Sequence, residues 1–301
     1  MSRRGLLLFA AMCVIWGIPY LLIRVAVGEL APPTLVFLRT GLGALILLPF
    51  ALRTDGLKAA ARSWLPLVVF AGVEIAVPWL LLSSAEQHIS SALAGLLISA
   101  VPLVGVVIAT AMGNREHLGL ASVSGLLIGL AGVALIVGFD LRASQPLALL
   151  EMAGVAICYA AGPAILSRFL TQVPAVTVNG LALSICCVAY APVAALNWPG
   201  SVPSIQVLGS VAVLGVVCTA LAFLLFFQLI AEIGPVRATV ITYVNPAVAA
   251  FLGVLVLNEG FTAGMAAGFV LVLAGSVLST RRRGAPRRAA AVSEPQPGEA
   301  V

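Results

Sequence analysis

Apolar runs of about 20 residues, the length that carries a helix across the hydrocarbon core of a bilayer, occur ten times in this chain. They fall at 5–27, 32–52, 64–84, 89–112, 119–138, 147–167, 175–196, 205–231, 236–257 and 260–280. The connections between them are too short to hold a soluble catalytic domain. Only 9% of the residues are charged, against roughly 25% in a water-soluble domain, so the chain lacks the polar surface to coat a globule. The expected fold class is an all-α membrane protein with ten transmembrane helices. Ser2, Arg3 and Arg4 precede the first run in the manner of a secretion signal, but no small-x-small cleavage site follows and nine further runs do, so it reads as a retained helix.

The runs repeat a pattern. Pro102, Glu116, Gly125 and Gly132 are spaced 14, 9 and 7 apart, and Pro246, Glu259, Gly268 and Gly275 are spaced 13, 9 and 7 apart. Ala94 and Ala238 each stand eight residues before their proline. Such self-similarity marks a duplicated architecture. Ten helices in two copies give five each, and an odd number makes the second copy enter the membrane from the opposite side. Inverted repeats of this kind give secondary transporters two related conformations around a site near the midplane.

Orientation follows from the basic residues. With a cytoplasmic N-terminus, 13 of the 16 Lys and Arg residues fall on inner segments or adjoining helix ends, Arg142 alone falls in an outer loop, and Arg24 and Arg39 lie within spans. Both termini are therefore expected in the cytoplasm, with the protein integral to the plasma (inner) membrane. The same placement accounts for the net positive charge without any nucleic acid. The tail 281–301 is basic and then rich in Pro, Ala and Glu, a composition expected to be disordered. Cys13, Cys158, Cys186, Cys187 and Cys218 all sit in apolar stretches and read as packing residues. The Cys186-Cys187 pair lacks the His and carboxylate company of a metal site, and no cofactor is called for.

In their joint order, these residues resemble the EamA family of the drug/metabolite transporter superfamily. Trp16-Gly17 with Arg24 eight positions after the Trp is similar to that family's first helix, and Pro33 followed by Arg39 to its second. Pro102 to Glu116 and Pro246 to Glu259, each leading into Gly-x6-Gly, resemble its most recognisable segment. The chain departs from the pattern in having Arg24 where Lys is commoner, and Tyr159-Ala160 in helix six where helix one has Trp16-Gly17. The resemblance implies two inverted five-helix EamA-type repeats, at 5–138 and 147–280. It also implies export or exchange of small metabolites, amino acids or drugs.

Candidate site residues come from polar groups inside the runs. Glu74 lies mid-span, where a carboxylate costs roughly 2.5–3.5 kcal/mol on insertion scales and usually faces a cavity or a partner. At 1.5 Å per residue, Arg39 lies about 10 Å and Glu74 about 12 Å from the outer side, on neighbouring helices. They are placed to form a structural ion pair, or else a polar cavity wall where substrate or a proton competes for the pair. In the second case Glu74 is the proton-coupling candidate, because a desolvated carboxyl takes up a proton readily and a neighbouring Arg opposes this. Pro246 and Pro102 are expected to kink their helices and free a carbonyl one turn earlier. Trp16, Ser99, Tyr159, Tyr243 and Asn245, with Thr242, lie near the centres of their spans. They line either a cavity or ordinary helix contacts.

Glu116 and Glu259 are expected in the first turns of spans five and ten, favourable against the helix dipole. Gly125, Gly129, Gly132, Gly268 and Gly275 permit close helix approach, and a homodimer is one assembly such faces allow. Arg24, Glu151 and His88 are expected to snorkel at the outer boundary, while Gln228 and Asn179 near the inner one carry no assignment. Without G-x4-G-K-[ST], direct use of ATP is not expected. Two histidines near span ends, no HExxH and no G-x-S-x-G argue against an enzyme. No ring of charges suggests a channel. The expected function is a secondary transporter of a small molecule working by alternating access. The alternative on the same scaffold is a flippase of a lipid-linked small molecule.

Overall fold

The computed structural model describes residues 2–111, 120–138, 145–234, 238 and 240–280. Glu116, Arg115, His117, Arg142, Arg237 and the tail 281–301 lie outside the described residues. Among the described residues there is no strand. The helices, in order, are α1 (Arg3–Ala26), α2 (Pro32–Leu52), α3 (Trp64–Ala85), α4 (Ser91–Ile108), α5 (Leu120–Gly138), α6 (Pro146–Phe169), α7 (Ala175–Leu196), α8 (Ile205–Ile233), α9 (Ile241–Leu257) and α10 (Ala263–Thr280). Seven are long and apolar enough to cross a membrane, and the apolar segments of α5, α9 and α10 are shorter. The protein is a multi-pass membrane protein.

Several helices are interrupted. Expected as one run, α1 breaks at Trp16–Ile18, before Pro19 opens its second segment. Proline has no N–H to continue the ladder and its ring crowds the carbonyl four residues back. Gly17 lies in this break, and a Cβ there would stand 2.5 Å from Val248 of α9. As expected from Pro102, α4 breaks at Ser99-Ala100, whereas α9 stays helical through Pro246. α10 begins at Ala263, later than expected, because Asn258 ends α9 in a left-handed conformation (φ 54°) that asparagine tolerates. Both α3 and α8 contain a π-helical turn at mid-length, Ala71–Ala76 and Val216–Leu221.

Packing pairs each half with the other. α2 lies on α7, α4 on α9 and α5 on α10, while α1 packs on α8 and α3 on α6. The first three pairs are antiparallel. In α2 and α7, Thr34 donates to Asn197 O at 3.1 Å, and at the opposite ends the Thr54 and Thr177 hydroxyls meet at 2.6 Å. Gly95 of α4 abuts Ala249 of α9, and Ser91 comes near Gly253.

The glycine ladder joins α5 to α10. A Cβ at Gly275 would lie 2.5 Å from both Gly125 O and Gly129 N, and one at Gly268 would lie 2.7 Å from Gly132 O. Backbone faces backbone, so neither side can yield by turning a side chain. Gly275→Val is therefore expected to lower the thermal midpoint in detergent, by an overpacking penalty of about 1–3 kcal/mol. Gly200→Ala, in open space, serves as the control. Equal midpoints for the two variants would remove the ladder from the account.

Candidate functional site

A π turn inserts a residue into a helix and leaves carbonyls without their usual partners. In α3 the two carbonyls at the ends of that turn are taken up by α7. The Cys186 thiol donates to Ala71 O at 3.4 Å, and the Tyr190 hydroxyl donates to Ala76 O at 2.9 Å. With the turn held in this way, Glu74 lies against α6, where a Cβ at Gly162 would lie 1.7 Å from its Oε2. That oxygen is buried with no hydrogen-bond partner among the described residues. Cys158 and Tyr159, one turn before Gly162, face the same carboxylate.

Arg39 is buried on α2, and its guanidinium lies over the Trp79 ring at 3.6 Å from the centroid. Its Nε donates to Thr219 Oγ1 at 3.0 Å, and the Thr219 hydroxyl donates to Leu214 O at 2.8 Å. Thr219 is the fourth residue of the π turn of α8, as Glu74 is the fourth of the turn in α3. Arg39 thus ties α2 to both widened helices. Among the described residues no ion pair joins it to Glu74. Tyr159 stands in the field of both Arg39 and Glu74 and reaches Trp79. The structure therefore gathers Arg39, Glu74 and Tyr159, and adds Trp79 and Thr219, which sequence reasoning missed. A tryptophan or threonine in an apolar run carries no signal of its own.

The other expected residues lie elsewhere. Trp16 joins an aromatic group on α8, 4.7 Å from Phe226 and 6.2 Å from Phe223 between ring centroids. Oriented with its amide nitrogen toward acceptors, Asn245 donates to Ile241 O at 2.9 Å and to Cys13 O at 3.1 Å, which fastens α9 to α1. Ser99 turns its hydroxyl back onto Leu96 O of its own helix. Tyr243 is half-buried. Arg24 and Glu151 have protein partners: Arg24 donates to Glu86 O, and Glu151 accepts from the Ser84 hydroxyl at 2.6 Å. Asn179 bonds within its own helix, to Ala175 O, and Gln228 accepts from exposed Arg4.

Glu259 corrects an expectation. It precedes α10 instead of forming its first turn, and its carboxylate crosses to the start of α4. There it accepts from Ser91 N at 2.8 Å, Ser91 Oγ at 2.9 Å and Ala92 N at 2.9 Å. The free N–H groups and positive dipole end of a helix favour an anion at this place. Glu259→Ala is expected to lose up to about 2 kcal/mol of this stabilisation and to speed hydrogen exchange at the Ser91 and Ala92 amides. Unchanged exchange at both amides refutes the cap.

Two cavities lie outside the Arg39 group. One, of about 800 Å³, opens at the shared ends of α1, α3, α4 and α9 and carries Arg24, Gln87, His88, Ser90 and Glu259 on its wall. The other, of about 660 Å³, lies between α4, α5 and α6 and is lined by apolar side chains such as Leu103, Leu126 and Met152. Neither is lined by Arg39, Glu74 or Tyr159. Among the described residues no group of His, Cys, Asp or Glu is arranged to hold a metal.

The profile of the EamA-like transporter family matches the chain twice, over residues 3–138 and 146–281. An uncharacterized transporter of Archaeoglobus fulgidus is 27% identical over 274 residues, covering 89% of this chain and 95% of its own. The uncharacterized transporter YvbV of Bacillus subtilis is 26% identical over 296 residues, covering 96% and 95%. The uncharacterized inner membrane transporter YedA of Escherichia coli K12 is 27% identical over 247 residues, covering 81% and 79%. One crystal structure superposes with a TM-score of 0.64 at 22% identity, over 93% of this chain and 97% of its own, a likeness of fold alone.

Proposed function

Because the chain belongs to the EamA-like transporter family, we propose that it is a secondary transporter that exports or exchanges a small metabolite, amino acid or drug by alternating access. Its family and the names of its relatives point to transport, not to enzymatic turnover. In this reading the three shorter helices complete ten spans, the halves 5–138 and 147–280 are inverted copies, and both termini face the cytoplasm of a cell whose plasma membrane holds the protein. The antiparallel pairing of α2 with α7, α4 with α9 and α5 with α10 supports the inversion.

The observation that carries the reading is Arg39. It is a buried cation at the meeting of the two halves, and among the described residues it uses only Nε of its five N–H groups in a hydrogen bond to protein. A buried guanidinium with spare donors suits the acidic or carbonyl end of a substrate, while Trp79 and Tyr159 supply aromatic walls. The arrangement favours a small amphipathic molecule over a multiply charged one. Glu74, the uncompensated carboxyl across Tyr159, is the coupling candidate. The test is export by wild type and Glu74→Gln at matched membrane levels, against a panel of amino acids and drugs. A compound that leaves faster only with wild type supports both the transport and the role of Glu74. Equal export by the two makes Glu74 structural, and no export beyond empty cells across the panel sinks the small-molecule reading.

A further inference from the structure

Glu86, the residue that ends α3, is 0% exposed, and both its carboxylate oxygens lack a hydrogen-bond partner among the described residues. Two guanidinium groups stand close, yet neither bonds the carboxylate. Arg24 of α1 gives its N–H to the main-chain carbonyl of Glu86, and Arg39 of α2 is committed to Trp79 and Thr219. The other titratable groups around it are Tyr20 on α1 and Glu259 before α10. Glu151 on α6 is bonded to Ser84, two residues before Glu86, and exposed His88 lies two residues after it. Glu259 brings a second negative charge, which α4 already occupies. A carboxylate taken from water with no partner is expensive, and the neutral acid costs far less.

On one side that acid adjoins an open cavity. Gln87 and His88, the next two residues, form part of the wall of the 800 Å³ vestibule with Arg24 and Glu259. Inward, buried Tyr20 lies in the field of Glu86 and of Tyr159, and Tyr159 in that of Glu74. Glu74 lies in α3 and Glu86 caps its end, about 18 Å apart at 1.5 Å per residue. That separation is too great for direct transfer, so the two carboxyls are separate sites.

We propose that Glu86, buried directly behind the wall of this vestibule, is a proton-binding site that is loaded and unloaded during the transport cycle. In the loaded state Glu86 is a neutral carboxylic acid, and in the unloaded state it has returned one proton. This assignment rests on the transporter reading for its use, but the site itself can be tested apart from transport. The first experiment is infrared spectroscopy of the full-length protein in liposomes, comparing wild type with Glu86→Gln at neutral pH. The expected result is a protonated-carboxyl stretch present in wild type and lost in the variant. Glutamine has the shape of the neutral acid, so the thermal midpoint is expected to hold. If Glu86→Gln does not fold, Glu86→Asp keeps the acid and is expected to shift the band. A wild-type spectrum unchanged by either substitution means that Glu86 is ionised and overturns the proposal.

The second experiment follows internal pH with a trapped dye in the same liposomes, on adding the compound identified in the export screen. Proton movement in wild type that is lost in Glu86→Gln supports the use of this proton in transport, and equal movement in both overturns that use. If wild type exports nothing, the transporter reading fails while the infrared result still decides whether Glu86 holds a proton.

Discussion

Arg39→Met is expected to end export while leaving the thermal midpoint unchanged or raised. Among the described residues the guanidinium is buried without a carboxylate bonded to it, and its desolvation is repaid by the Trp79 ring and one hydrogen bond. A desolvated cation over an aromatic face contributes about 2 kcal/mol, and a hydrogen bond to a charged group about 1.5–3 kcal/mol. Taking the ion out of water costs several kcal/mol (about that order). Those terms nearly cancel, and methionine fills a similar length with apolar atoms. Thr219 loses a donor partner but keeps its own bond to Leu214 O at 2.8 Å, so no hydroxyl hydrogen is stranded. A structural brace behaves differently, with the midpoint falling and export falling only as the folded protein is lost. Arg39→Lys sharpens the contrast. It keeps the charge but loses the planar group that stacks on Trp79 and the Nε that reaches Thr219. Export by Arg39→Lys at the wild-type rate would defeat the assignment. The measurements are export at matched membrane level and thermal midpoint in detergent, for all three proteins.

What could be read in the chain and what could not divide along physical lines. Composition and run length gave a membrane protein of many helices, because a residue's cost in lipid is local to that residue. Gly125, Gly129, Gly132, Gly268 and Gly275 were readable as a packing face, since only glycine serves where backbones touch. Pro102 and Pro246 bear the same sequence signature, yet only α4 breaks; a proline supplies the stress, and the neighbouring helices decide how it is relieved. The π turns were invisible. Ala71–Ala76 and Val216–Leu221 are ordinary apolar sequence, and it is Tyr190 and Cys186 on α7 that take up carbonyls of the first. That turn lies within α3 at Glu74, and no ion pair with Arg39 forms among the described residues. Glu86 was missed for a different reason. A carboxylate at a span end reads as exposed, and its burial is set by tertiary packing, with Arg24 of α1 held on its main-chain carbonyl.

Gly162→Ala is expected to disrupt the site from a residue with no polar atoms in its side chain. The added methyl would lie 1.7 Å from Oε2, 2.8 Å from Cδ and 3.3 Å from Cβ of Glu74, so the carboxylate must leave its place on α6. Cys158 and Tyr159 already occupy the neighbouring space, and Oε2 is sealed from solvent. Forcing the side chain from its rotamer costs about 0.5–1.5 kcal/mol, and overpacking raises the total to about 1–3 kcal/mol. The variant should therefore melt earlier and export poorly. Glu74→Ala alone removes an unpartnered carboxyl and leaves a small void opposite Gly162. In the double variant the alanine methyl enters that void, so the two changes should couple favourably, by about 0.5–3 kcal/mol for residues in contact. Stability then returns while export does not, because the carboxyl is gone. That split separates space from chemistry at one position. Strictly additive midpoints would mean that Glu74 does not rest on Gly162, and restored export in the double variant would mean that Glu74 only fills space.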